Sequence, residues 1–237
     1  MSLRQYLELH FHQAGQELVR IHSRSGIGDD VGLVFPMYRD KMLRVCEQEA
    51  KVLFLHNVLT ERRYRVAVEK PTDGEFSFTG TGRRSAQVDV ALFRSGYDAE
   101  ALIEFKADNR STGIQKDLEK LIREQKTGGW FHTLGAADRG TLPSVASKFK
   151  DAFASLRNQL GVAQPHDCLF TFCIITNKVL LYRWLPLGGQ NALDSLTAGF
   201  DDLSLYSTSW TKRTLEPASP EPESAPAEVV VAETECD

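Results

Sequence analysis

Three charged side chains interrupt an otherwise apolar stretch, "QVDVALFRSGYDAEALIEFKAD" (residues 87–108): Asp89, Glu104 and Lys106. Placing such groups in a sheet costs on the order of several kcal/mol unless a partner, a metal ion or water compensates. Two carboxylates and an ammonium gathered in one place have a chemical use. The carboxylates suit a hard divalent cation such as Mg²⁺, which takes one or two of them together with water and phosphate oxygens. A cation held there polarises a phosphoryl group and acidifies an attacking water. Lys106 would orient or deprotonate that water and offset the negative charge developing on the phosphate.

The spacing supports this gathering. Folding the stretch about Gly96-Tyr97, with Gly first in a two-residue turn, sets Asp89 opposite Glu104 and Gln87 opposite Lys106 on one face. Facing residues of that kind have Cβ atoms about 4.5–5.5 Å apart. Ala91, Leu102 and Phe93 complete this face. The other face pairs Val88 with Phe105, Val90 with Ile103 and Leu92 with Ala101, a clean core surface. Opposed carboxylates repel when no cation lies between them, so removing Asp89 is expected to cost the cation-free protein little stability. The plain alternative is a set of solvated charges on an edge strand, with Asp89 paired to Arg83 or Arg84.

The elements around the hairpin follow from periodicity and breakers. Residues 3–22 place Leu3, Leu7, Phe11, Leu18 and Ile21 at helical spacing. A second helical stretch runs through "YRDKMLRVCEQEAKVLFLHNVLTERR", free of Gly and Pro. "YRVAVEKP" reads as a strand stopped by Pro71, and "TDGEFSFTGTGRRS" as a connector, with "EFSF" as a short strand at most. "STGIQKDLEKLIREQ" is a helix entered through Ser111 or Thr112 and ended by Gly128 and Gly129. Another helix fits residues 144–160, and "CLFTFCII" with "KVLLYRWL" forms a hairpin across "TNK". This order predicts an α/β fold with a central mixed sheet flanked by helices.

On "QVDVALF" and "ALIEFKAD" the chain resembles the PD-(D/E)XK, or restriction-endonuclease-like, nuclease superfamily, with Val88 in place of the motif's proline. The match covers roughly residues 40–126, and the helix of residues 3–22 would be a decoration of a single domain over 1–215. The resemblance implies a Mg²⁺-dependent nuclease, with Mn²⁺ as a substitute, that hydrolyses phosphodiester bonds of nucleic acid, DNA above all. It implies Asp89, Glu104 and the Phe105 carbonyl as metal ligands and Lys106 as the catalytic lysine. Many members add a glutamate from the helix before the sheet, here Glu49 or Glu47. Glu49 shares a stripe with Val45, Cys46, Val52, Leu53 and His56, whereas Glu47 shares one with Leu43, Ala50 and Phe54; the first is the preferred packed side. Some members have lost activity, so a catalytically silent module that binds nucleic acid or a partner protein is the alternative.

Composition is compatible with this. Of the 32 acids, seven lie from Glu216 to Asp237, where there is no Lys or Arg, so residues 1–215 carry 25 acids against all 28 basic residues, about +3. A mildly basic body permits phosphate contacts without demanding them; Arg83, Arg84, Lys116 and Lys120 are the candidate nucleic-acid contacts. The Pro/Glu/Ala-rich stretch 216–237 cannot bury enough surface to order itself and is expected to be disordered. No apolar run reaches the roughly 20 residues of a membrane span, the N-terminus lacks a signal-peptide pattern, and the four cysteines show no CxxC pair. A cytoplasmic protein with reduced thiols is expected, and a homodimer is compatible with the sequence. Trp130-Phe131-His132 and Trp184 are expected in the core rather than stacked on bases. His10, His12 and His22 lack the spacing of a zinc site.

Overall fold

The computed structural model describes residues 1–24, 33, 47–78, 82–107 and 111–216. Helices α1 (Leu3–Arg24) and α2 (Glu47–Glu61) form one outer layer. The first buries Tyr6, Leu7, Phe11, Ala14 and Leu18; the second buries Ala50, Phe54 and Val58, each four residues from the last. These stripes cover one face of a seven-stranded sheet, where the rings of Phe11, Phe54, Phe105 and Phe131 lie between 5.2 and 6.3 Å apart in five pairs.

The sheet runs in chain order: β1 (Arg65–Phe78), β2 (Gly82–Phe93), β3 (Ala101–Lys106), β4 (Thr127–Leu134), β5 (His166–Ile174), β6 (Val179–Leu187) and β7 (Thr211–Thr214). β3, β4 and β5 are parallel, and every other neighbouring pair is antiparallel. Each parallel step needs a crossover. The first is supplied by α3 (Ser111–Glu124), the second by α4 (Thr141–Ser155) with α5 (Arg157–Val162). Together with α6 (Ala192–Asp201) these helices cover the opposite face, over a core built around Trp130, Phe149, Phe153, Phe170, Phe172 and Phe200. The α/β expectation of a mixed sheet between helices holds. Among the described residues no helix is long and apolar enough to cross a membrane. Cys168 and Cys173 are free thiols.

Several elements differ from the expectation. β1 does not stop at Pro71 but runs on to Phe78 with a register shift between Pro71 and Glu75. An edge strand tolerates proline because its outward side has no partner to lose. Gly128 and Gly129 do not end α3; they lie inside β4, a buried strand missing from the sequence reading. A Cβ on Gly129 would stand 3.0 Å from both Phe11 and Ile103, so the glycine lets α1 and the neighbouring strand close in on β4. Residues 144–160 are split by Leu156 into α4 and α5. The stretch 217–237 and the stripe residues Leu43, Val45 and Cys46 lie outside the described residues.

Candidate functional site

β2 and β3 separate at the predicted site. Their ladder pairs Leu92 with Ala101, Ala91 with Leu102 and Val90 with Ile103. This is the expected register, although residues 94–100 connect the strands in place of a two-residue turn. Beyond Val90 the ladder ends, and the Phe105 N–H donates to Asp89 Oδ2 at 2.8 Å. In an extended strand the N–H and C=O of one residue point to the same side, so the Phe105 carbonyl turns toward the same gap.

Alternation also breaks here. Val88 packs with Ala91 on the α3 side, while Val90 and Leu92 pack against α1 and α2. The expected shared face of Val88 and Val90 is therefore corrected. On β1, Glu69 lies between the pairs Val68–Val90 and Lys70–Val88, at φ 54°. That left-handed geometry is uncommon without glycine and costs about 1–3 kcal/mol. Lys51 of α2 spans the kink: its Nζ donates to Glu69 Oε1 at 2.8 Å and to Asp89 Oδ1 at 3.3 Å.

The other half of the site comes from β3 and α3. Glu104 is 2% exposed and Asp117 7%. Lys120 Nζ lies 2.6 Å from Glu104 Oε1 and 2.7 Å from Asp117 Oδ1, and it donates to the Gln87 carbonyl at 2.7 Å. Lys106 Nζ lies 2.6 Å from Asp117 Oδ2 and 3.8 Å from Glu47 Oε2. Glu104 Oε1 and Asp117 Oδ2 are buried, and these close ammonium groups are their partners.

Burial raises the Glu104 carboxyl well above its ordinary range, Asp117 and Asp89 add to this, and Lys120 opposes it. Burial lowers Lys106, but Asp117, Glu47 and Glu104 outweigh it, so the lysine titrates above its ordinary value. In this arrangement Lys106 is an ammonium. It suits charge stabilisation and orientation of a water, and it becomes a base only once Asp117 lets go of it.

Asp89, Glu104 and Lys106 all line one cavity of about 560 Å³. Its walls are the far arm of the β1–β2 hairpin (Phe76, Ser85, Ala86, Gln87) and α3 (Lys116, Asp117, Glu119, Lys120). The arm is braced on α3, where the Glu124 carboxylate accepts the N–H groups of Asp73 and Gly74 and Arg123 lies over Phe76. Lys116 is exposed at the rim, where a nucleic-acid contact remains open to it.

Other sequence-predicted residues are placed differently. Lys120 is buried as a counter-ion inside the site, which corrects its assignment as a phosphate contact. On α2 Glu47 Oε2 lies 3.8 Å from Lys106 Nζ, and neither Glu47 nor Glu49 is among the described residues lining the cavity. Glu49 is itself buried, at 8% exposure, as its stripe predicted, but Ala50 and Phe54 of the rival stripe are packed as well and Val52 of its own is 48% exposed. Arg83 and Arg84 lie on β2 opposite Ser77 and Phe76, and their side chains fall outside the described residues. Trp130, Phe131 and His132 are core residues, as expected. Sequence reasoning missed Asp117 and Lys51. Asp117 carried a signal: it is an acid within the apolar stripe Ile114, Leu118, Leu121 of α3.

The donor set suits a hard cation, since Asp89 and Glu104 offer carboxylate oxygens to one cavity and the Phe105 backbone lies against Asp89. Among the described residues no three His, Cys, Asp or Glu side chains form a metal cage on their own. A Mg²⁺ ion, which keeps water and substrate oxygens in its shell, does not need one. The chain matches no protein-family model, no curated protein and no solved structure.

Proposed function

We propose that the chain is a Mg²⁺-dependent nuclease with a restriction-endonuclease-like core, hydrolysing phosphodiester bonds of nucleic acid, DNA in the first place. The observation that carries this reading is the opening of Asp89, Glu104 and Lys106 onto one cavity where β2 and β3 part. Asp89, Glu104 and the Phe105 carbonyl would hold the cation, which when bound supplies Lewis acidity to a phosphoryl oxygen and acidifies a water. Lys106 orients that water and stabilises the negative charge that develops as it attacks. Asp117 holds the Lys106 ammonium in place. Lys116, exposed at the rim, meets the backbone of the substrate.

A second reading draws on a different observation. Each site carboxylate already has a lysine partner: Lys51 for Asp89, Lys120 for Glu104, and Lys106 and Lys120 for Asp117. A site neutralised from within also suits a silent module that binds nucleic acid without cutting it. Incubation of the purified chain with plasmid, linear duplex and single-stranded DNA, in Mg²⁺ and in EDTA, separates the two. Cleavage abolished by EDTA supports the nuclease, and salt-sensitive binding without cleavage supports the silent module.

A further inference from the structure

We propose that Lys120 is a tethered counter-ion that holds the Glu104 carboxylate in the cation-free protein and shifts wholly onto Asp117 when a divalent cation binds. This rests on the metal-dependent reading above. Glu104 is almost fully buried, and it shares one ammonium with a second acid, Asp117. While ionised, such a carboxylate needs a positive partner, because a buried charge left alone is strongly destabilising. Lys120 is that partner at 2.6 Å.

The lysine also has somewhere to go. Its Nζ already touches Asp117 Oδ1 at 2.7 Å and the Gln87 carbonyl at 2.7 Å. Leaving Glu104 therefore breaks one of three contacts and keeps two. Lys106 occupies the other oxygen of Asp117, so that acid holds one ammonium on each oxygen. A compact ammonium on a flexible four-carbon stem suits such a short move. The consequence is a site that stays folded without metal but binds the cation against a built-in competitor.

The test is calorimetric titration of Mg²⁺ and of Mn²⁺ into the full chain, wild type against Lys120→Met, with no nucleic acid present. Lys120→Met should bind the cation roughly tenfold more tightly or better, the scale of one charge-assisted contact removed. It should also gain more melting temperature than wild type on adding Mg²⁺. Equal or weaker binding by a folded Lys120→Met overturns the exchange while leaving the nuclease reading in place. No cation binding by either protein overturns both. Should Lys120→Met not fold, a second variant decides. Lys120→Gln, which keeps a donor for Gln87 and Asp117 but not the charge, is titrated in the same way, and binding no tighter than wild type overturns the exchange.

Discussion

Asp89 Oδ2 accepts the backbone N–H of Phe105 at 2.8 Å, at the point where the β2–β3 ladder has ended. One side chain thereby both satisfies a strand amide and faces the cavity. The amide bond sets a structural cost that the repulsion argument from sequence left out. Asp89→Ala should destabilise the cation-free protein by about 1.5–3 kcal/mol, the scale of a hydrogen bond to a charged group, reduced to the extent that the carboxylate is exposed. Asp89→Asn keeps an oxygen for the amide and should unfold near the wild-type midpoint, yet lose cation binding. Denaturant titration of both variants in EDTA checks this; equal stabilities would show that the amide bond contributes little.

Lys106→Met leaves Asp89 and Glu104 in place. Cation affinity should survive while the cleavage rate falls by about 10²-fold or more, as for loss of a charge stabiliser. Single-turnover rates at saturating Mg²⁺ measure it. A rate within a few-fold of wild type would remove Lys106 from the chemistry.

Glu104 gives a pH dependence with a definite sign. Its pKa is raised in the folded protein, chiefly by burial. A carboxyl raised on folding stabilises fully below its unfolded value, and that contribution is lost as pH rises through the folded value. In EDTA, wild type should therefore lose stability relative to Glu104→Gln as pH rises above the ordinary glutamate range. Glu104→Gln should be at least as stable as wild type at neutral pH. Melting temperatures of the two proteins across a pH series, taken as a difference, isolate the effect from other carboxylates.

Gly129→Ala tests how β4 is held. The new Cβ would meet Phe11 and Ile103 at 3.0 Å at a buried position of the strand, and overpacking of this kind costs about 1–3 kcal/mol. Urea unfolding of the variant should show the loss. An unchanged midpoint would mean that α1 gives way without strain.

Gly129 also shows why part of the fold was legible and part was not. A Gly-Gly pair after a helix reads as a stop, and only the close approach of α1 across the sheet makes it a strand position. The β2–β3 register was legible because alternating apolar residues allow one pairing that buries both strands, even with a longer connection than the turn residues suggested. Asp89, Glu104 and Lys106 could be placed together from that register alone. The lysine partners could not, since Lys51 reaches Asp89 from α2 and Lys120 reaches Glu104 from α3 through tertiary packing. The two glutamate stripes of α2 could not be separated because the helix buries residues of both, Glu49 from one and Ala50 with Phe54 from the other.

Divalent-cation-dependent cleavage is the decisive property, measured on supercoiled plasmid, linear duplex and single-stranded DNA with wild type and Asp89→Asn in parallel. Wild type should cut in Mg²⁺ and not in EDTA, and folded Asp89→Asn should not cut in Mg²⁺. Absence of Mg²⁺-dependent cleavage of any substrate by wild type, or cleavage by Asp89→Asn at the wild-type rate, would contradict the nuclease reading.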